Sequence, residues 1–282
     1  MSAPAKSRRL SSRQERWRAR YGPWAVVTGA SDGIGRALAV SLAKRGLNLV
    51  LVARRRPELE KLGAELSIQY GTECRIVAAD LGERSSFEML FGATRDLDLG
   101  LLVACAGFGT SGRLADADLD TELNMVDVNC SAALALSQHF GRRFARQERG
   151  GLILMSSLLA FQGVPLAANY AATKAYIQTL AEGLRLELAA EGVDVLACAP
   201  GPIKSGFAAR ADMVMGMAQT PEDIAEPVLD ALGRRTTVRP GWLAKLLESS
   251  FIGQPRTMRA RILGRIMQGM TRHRVQTREQ RA

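Results

Sequence analysis

The chain has 282 residues, 47% of them hydrophobic, with four cysteines and a formal net charge of +10, enough for one large α/β domain or two small ones. Cys74, Cys105, Cys130 and Cys198 lack any C-x-x-C spacing or neighbouring histidine, which speaks against a disulfide framework or zinc site and predicts reduced thiols in a cytoplasmic protein without a metal. The charge is terminal: residues 1–20 carry net +6, residues 233–282 net +10 and the span between them net −6, a distribution that argues against a nucleic-acid groove and leaves solubilising ends or tails that meet an anionic surface.

The first twenty residues are basic but no apolar run follows them, so they do not read as a secretory signal; they are expected to be a flexible leader. Ala25-Val-Val-Thr28 is a short strand. Gly29-Ala-Ser-Asp-Gly-Ile-Gly35 follows, then a helical pattern with Ile34, Leu38 and Leu42 on one face. A glycine-rich turn between a strand and a helix suits a phosphate, because backbone N–H groups can approach it and the helix N-terminus adds positive potential. The second strand, 48–52, ends in Ala53 and runs into Arg54, Arg55 and Arg56. In a dinucleotide-binding unit an acid at this position selects the ribose 2′-hydroxyl, whereas arginine accommodates a 2′-phosphate. The reading is NADP(H) rather than NAD(H); the alternative is a solvated helix lead-in before Pro57.

The alternation continues with a helix over 57–69, a strand over 74–79 ending at Asp80 and Leu81, a helix over 85–97, and a strand over 99–105 that breaks at Ala106-Gly107-Phe-Gly109. A long helical pattern spans 118–147 and holds Asn129 in an apolar stretch. A buried asparagine needs partners; it is either an ordinary satisfied amide or an interruption of the helix beside the site. Residues 150–173 form a 24-residue uncharged run. Its polar residues and Pro165 divide it into strand, loop and helix start, so it is not a membrane span. A helix over 168–191 and a strand over 194–199 follow, and Pro200-Gly-Pro-Ile203 turns sharply. Residues 204–219, with Met213, Met215 and Met217, read as a mobile apolar flap, with packing of a short helix as the alternative. Thr220-Pro-Glu-Asp223 opens a helix that ends near Gly233, and 236–238 can be a last strand. Strands alternating with helices in this way predict a single doubly wound Rossmann domain: a parallel sheet of seven strands with helices on both faces.

Within this frame Tyr170 and Lys174 are four apart on a helix and share a face. A cation beside a phenol favours the phenolate, and a phenol so tuned can exchange a proton with an alcohol or carbonyl oxygen. Ser157 lies at the carboxyl end of the strand 151–155, where open α/β sheets place their ligands.

With these residues placed, the chain resembles the short-chain dehydrogenase/reductase family over residues 21–238. The resemblance rests on Thr28-Gly-Ala-Ser-Asp-Gly-Ile-Gly35, Asp80-Leu81, Ser157 with Tyr170-Ala-Ala-Thr-Lys174, and Pro200-Gly-Pro-Ile-Lys-Ser205. It implies a nicotinamide-dependent oxidoreductase acting on a carbonyl/alcohol pair. By position, Tyr170 would be the general acid/base, Lys174 would bond the nicotinamide ribose and lower the Tyr170 pKa, and Ser157 would polarise the carbonyl. Asn129 would hold a water for proton relay. The glycine turn (Gly29, Ser31, Asp32, Gly33, Ile34, Gly35) would hold the diphosphate, Arg54 and Arg55 the 2′-phosphate, and Asp80 with Leu81 the adenine edge. Ala106, Gly107, Pro200, Gly201, Ile203 and Ser205 would line the nicotinamide side. One departure is Ala104-Cys-Ala-Gly107 in place of the family's Asn-Asn-Ala-Gly, so strand packing there must differ. The opening from Tyr21 to Gly35 is similar to the 3-ketoacyl-CoA reductase and 17β-hydroxysteroid dehydrogenase branch, which implies a bulky lipophilic carbonyl substrate. The family also implies a homo-oligomer, dimer or tetramer, through the helices over 118–147 and 168–191.

The expected organisation is a leader over 1–20, an NADP-binding catalytic domain over 21–240 and a basic amphipathic extension over 241–282. In the extension Leu243, Leu246, Leu247, Phe251, Ile262, Leu263, Ile266 and Met267 recur beside Arg256, Arg259, Arg261 and Arg265. It could touch an anionic membrane, or pack across the substrate mouth or a second subunit. The rival to an enzyme is a non-catalytic NADP(H)-binding scaffold that kept the fold.

Overall fold

The computed structural model describes residues 11–216, 218–241 and 253–271. Seven parallel strands form one sheet: β1 Trp24–Thr28, β2 Asn48–Ala53, β3 Cys74–Ala78, β4 Leu99–Ala104, β5 Gly150–Met155, β6 Val193–Cys198 and β7 Thr237–Val238. Their spatial order is β3-β2-β1-β4-β5-β6-β7, so the direction of winding reverses between β1 and β4. Such a reversal opens a crevice at the carboxyl ends of the two strands, the usual ligand position in an open α/β sheet.

Alternating side chains fill two cores, one on each face. Ala25, Val27, Leu49, Leu51, Leu101 and Val103 point to one face. There they meet α2 (Gly33–Lys44), α3 (Arg56–Tyr70) and α9 (Glu222–Ala231) through Leu38, Leu62 and Val228. Val26, Val50, Leu102, Leu152 and Val195 point to the other. Their partners are Leu90 of α4 (Ser85–Ala93), Phe140 and Phe144 of α6 (Ala132–Arg146), and Ile177 of α7 (Ala168–Glu187).

Three expectations change. Residues expected as a flexible leader form α1, Ser12–Tyr21, from residue 12 onward. Ser11 and Gln14 make a reciprocal capping box, Trp17 and Tyr21 pack on the core, and Arg20 and Tyr21 each bond Asp194 at 2.6 Å. The basic charge counted there conceals two aromatic anchors. The long helix over 118–147 is α5 (Leu119–Val126) and α6, joined by a widened turn at Asp127–Ser131 that contains Asn129. Wide turns of this kind are frequent at functional sites. The flap contains a short helix, α8 (Gly206–Arg210), and is pinned: Ile203 bridges Gln219, and the Val214 amide donates to Met270 O at 2.9 Å. Met217 lies outside the described residues, as do Leu243, Leu246, Leu247 and Phe251.

The last described helix, α10 (Arg256–Met270), turns its apolar stripe inward: Leu263 and Met267 are buried against Val164, Ala167 and Tyr170. That face is packed on protein, across the mouth of the site, and is not offered to a membrane. No helix among the described residues is long and apolar enough to cross a membrane.

Candidate active site

The strand ends and the glycine turn surround one cavity of about 770 Å³. At its cofactor end the backbone is shaped by glycine. Gly29 and Gly33 have φ of +68° and +54°, and a Cβ on Gly35 would lie 2.3 Å from Gly29 O. Asp32 caps α2, accepting from the Gly33 amide at 2.7 Å, and also accepts from the Gly206 amide at 3.0 Å. Arg55 donates to the Ser31 hydroxyl at 3.2 Å, and Arg54 lies 3.6 Å from Asp80 in a half-exposed pair. Arg210, from α8, stacks over Phe108 at 4.0 Å; burial first and then the nearby Arg54 hold its guanidinium below the ordinary value. Three arginines therefore border this end.

The floor is made by β4, β5, the wide turn and α7. Where the family's asparagines are absent, the Thr28 hydroxyl accepts from the Cys105 and Ala106 amides, both at 3.0 Å, tying β1 to the end of β4. Asn129 clamps Phe108 by accepting from its amide at 3.0 Å and donating to its carbonyl at 2.9 Å; it also donates to the Thr173 hydroxyl at 3.0 Å. Both amide N–H groups are thus used, so this side chain could meet a relay water only through the remaining lone pair on Oδ1. A Cβ on Gly107 would lie 2.9 Å from that oxygen and 3.3 Å from Lys174 Nζ, which leaves room there for glycine alone.

Lys174 is buried and donates from Nζ to Met155 O at 2.8 Å; the hydroxyl of Ser156 fixes the same helix turn by donating to Lys174 O at 3.1 Å. Burial pulls its ammonium down to about 8, opposed by Cys105, Cys130 and Cys198. Tyr170 stands one turn earlier, with Nζ 5.8 Å from its ring centre. Lys174 does not shift the phenol as expected: burial pushes Tyr170 up to about 12, and the one opposing influence is a hydrogen bond with Ser157. Ser157 also caps the tight turn Leu158–Phe161, accepting from the Leu159 amide at 3.2 Å.

The canopy comes from α8, α10 and the turn after β6. Phe207 lies 5.4 Å, ring to ring, from Tyr170, and Met213 packs in the same apolar cluster as Leu263. Every residue predicted for the site lines this cavity except Asn129, which acts one layer behind through Phe108. Sequence reasoning missed Thr28 as the strand tie, and missed Phe161, Phe207, Arg210 and Arg239 altogether. Only Thr28 had a signal, because a hydroxyl at the end of β1 faces the strand whose asparagines are absent.

The family model for short chain dehydrogenase matches residues 23–213. The chain belongs to the short-chain dehydrogenase/reductase family of oxidoreductases. This dehydrogenase is 34% identical over 231 residues to a 7beta-hydroxysteroid dehydrogenase of Clostridium sardiniense, covering 80% of this chain and 88% of that one. It is 36% identical to a very-long-chain 3-oxoacyl-CoA reductase of Podospora anserina, over 62% of this chain and 53% of that one. Among solved structures, one of a 7beta-hydroxysteroid dehydrogenase superposes with a TM-score of 0.81 at 29% identity, covering 88% of this chain and 99% of the other. A Sphingobium yanoikuyae short-chain dehydrogenase in complex with NADPH superposes with a TM-score of 0.74 at 25% identity, covering 83% and 97%.

Proposed function

We propose that this dehydrogenase uses NADP(H) to interconvert a lipophilic ketone and its secondary alcohol, with Tyr170 as the general acid/base. The observation that carries the reading is the juxtaposition of Tyr170, Ser157 and Lys174 at one end of a cavity whose other end is a glycine cradle bordered by arginines. The cradle suits a diphosphate, since glycine at 35 lets the head of α2 close onto the Gly29 backbone and its N-terminus border the cavity. Arg54, Arg55 and Arg210 would hold the 2′-phosphate; the Arg54–Asp80 pair is half-exposed and weak enough to open for it. Bound there, the nicotinamide supplies the hydride.

The protein's own work is to hold the carbonyl and manage one proton. A phenol at about 12 keeps its proton at neutral pH, which suits donation to an alkoxide oxygen as it forms during reduction. Ser157, within hydrogen-bonding contact of the phenol, donates to the same oxygen and orients it. Lys174 sets a positive field on the phenolate face, while Asn129 is a positioning residue that fixes Phe108 and Gly107. The apolar canopy favours a lipophilic substrate, as do the relatives named for steroid and long-chain acyl substrates.

The test is to titrate NADPH and NADH separately while following nicotinamide fluorescence, then to screen lipophilic ketones for NADPH oxidation. Preference for NADPH that Arg54→Asp removes supports the reading; binding of neither nucleotide sinks it. We also propose a homodimer or homotetramer through the α5–α7 face, where Leu119, Leu123 and Leu186 are exposed. Sedimentation as a monomer at micromolar concentration would overturn that assignment.

A further inference from the structure

The cavity's charge is unevenly distributed. Among the described residues lining it, only Asp32 and Asp80 are acidic, and both belong to the cofactor end. The substrate side is walled by Phe161, Leu263, Ile266 and Met267, yet two arginines, Arg239 and Arg259, also enter it. They come from separate elements. Arg239 directly follows β7 and lies over the Phe161 ring at 4.3 Å. Arg259 is on α10, four residues before Leu263 and eight before Met267, so all three share one face, with the Arg259 backbone about 6 Å along the axis from that of the first buried leucine.

This placement departs from the rest of the helix. Arg256, Arg261 and Arg265 are exposed, as expected of a solvated basic face, whereas Arg259 is half-buried at the cavity wall. Its Nε donates to Gln254 O at 2.9 Å, which fixes the plane of the guanidinium while using one of its five N–H donors. Arg239 is likewise half-buried and held flat by the aromatic ring. A planar, partly desolvated fork beside an apolar wall matches a carboxylate better than any neutral group.

We propose that Arg259, with Arg239, binds a carboxylate at the far end of the substrate, so that this enzyme selects lipophilic keto acids over neutral ketones. The proposal rests on the oxidoreductase reading for its chemistry, but the anion site can be measured by itself. Decanoate and decanamide, titrated separately into the full chain by calorimetry, compare the same chain with and without the charge. Decanoate should bind at least about tenfold tighter, the scale of one charge-assisted hydrogen-bond pair, and Arg259→Gln should bring the two ligands together. Arg259→Lys, which keeps the charge and loses the fork, should fall between them.

The kinetic arm uses straight-chain keto acids with four to ten carbons between carbonyl and carboxylate, each against its methyl ester, with NADPH. The acid of matching length should show a KM about tenfold or more below its ester, an advantage lost in Arg239→Gln or Arg259→Gln. Reduction of acid and ester with equal KM, or equal binding of decanoate and decanamide, overturns the carboxylate site and leaves the oxidoreductase reading standing. Preferential decanoate binding through Arg259 with no ketone reduced overturns the oxidoreductase reading and leaves the anion site standing.

Discussion

On the floor of the cavity Asn129, Ser157 and Lys174 are buried, and each bonds backbone: Phe108, Leu159 and Met155 respectively. In the canopy Phe207, Met213, Leu263 and Met267 meet through apolar packing. Its polar tethers include Asp32 to Gly206, Ser111 to Ala211 O, Lys204 to Gln219 O and Val214 to Met270 O. The floor holds its polar groups by hydrogen bonds to backbone, the kind of positioning that proton transfer demands. The canopy offers the substrate methionine and phenylalanine side chains, whose contacts are shaped by packing and not by hydrogen bonds. One chain therefore joins a hydrogen-bonded chemical centre to an apolar recognition surface.

The largest expected effect breaks the floor and spares everything else. Tyr170→Phe should lower kcat about 10²- to 10⁴-fold, the range for losing a general acid, while NADPH affinity by fluorescence stays within about twofold; an active variant would remove Tyr170 from the chemistry. Next, Arg54→Asp should cost NADPH about tenfold to a hundredfold in Kd and improve NADH, since it substitutes repulsion for a phosphate contact. Equal loss for both nucleotides would mean that the 2′-phosphate is held elsewhere.

Lys174→Met should lose activity and gain stability. At pH 7 the folded and unfolded chains both carry the Lys174 proton, and the fold bears the cost of burying it. Above about 8 the folded chain releases the proton, while the unfolded chain keeps it up to about 10.5. The native chain thus gains stability through that window, and the variant's advantage, at most about 3 kcal/mol, should shrink. Urea denaturation of both proteins at pH 7, 8.5 and 10 checks the sign; a constant gap contradicts it. The smallest effect belongs to the canopy. Phe207→Ala removes the ring against Tyr170 and should shift KM for bulky ketones more than kcat. A kcat loss as large as that of Tyr170→Phe would erase the division between the two regions.

The same division decides what the sequence discloses. The glycine turn, Ser157, Tyr170 and Lys174 were legible because each residue type is tied to local geometry, a strand end or one helix turn, that periodicity reveals. The seven strands were legible from alternating apolar runs. The wide turn at Asn129 was not, since a π-type insertion leaves composition unchanged and shows only in hydrogen-bond spacing. Tyr21 anchoring on Asp194, 173 residues away, has no local signature, and neither does Arg239 resting on Phe161. Lys174 was read as a cation that tunes a neighbour; the sequence could not show that it is itself desolvated by the burial that lifts the phenol.

Asp32 joins the glycine turn to the canopy, with one oxygen on the Gly33 amide and the other on the Gly206 amide. A nucleotide settling into the glycine turn therefore moves against the same carboxylate that holds the head of α8. The expected consequence is a sequence in time, with the coenzyme binding before the ketone and the alcohol departing before the spent coenzyme. Steady-state inhibition patterns for such a scheme have the coenzyme product competing with NADPH and the alcohol failing to do so.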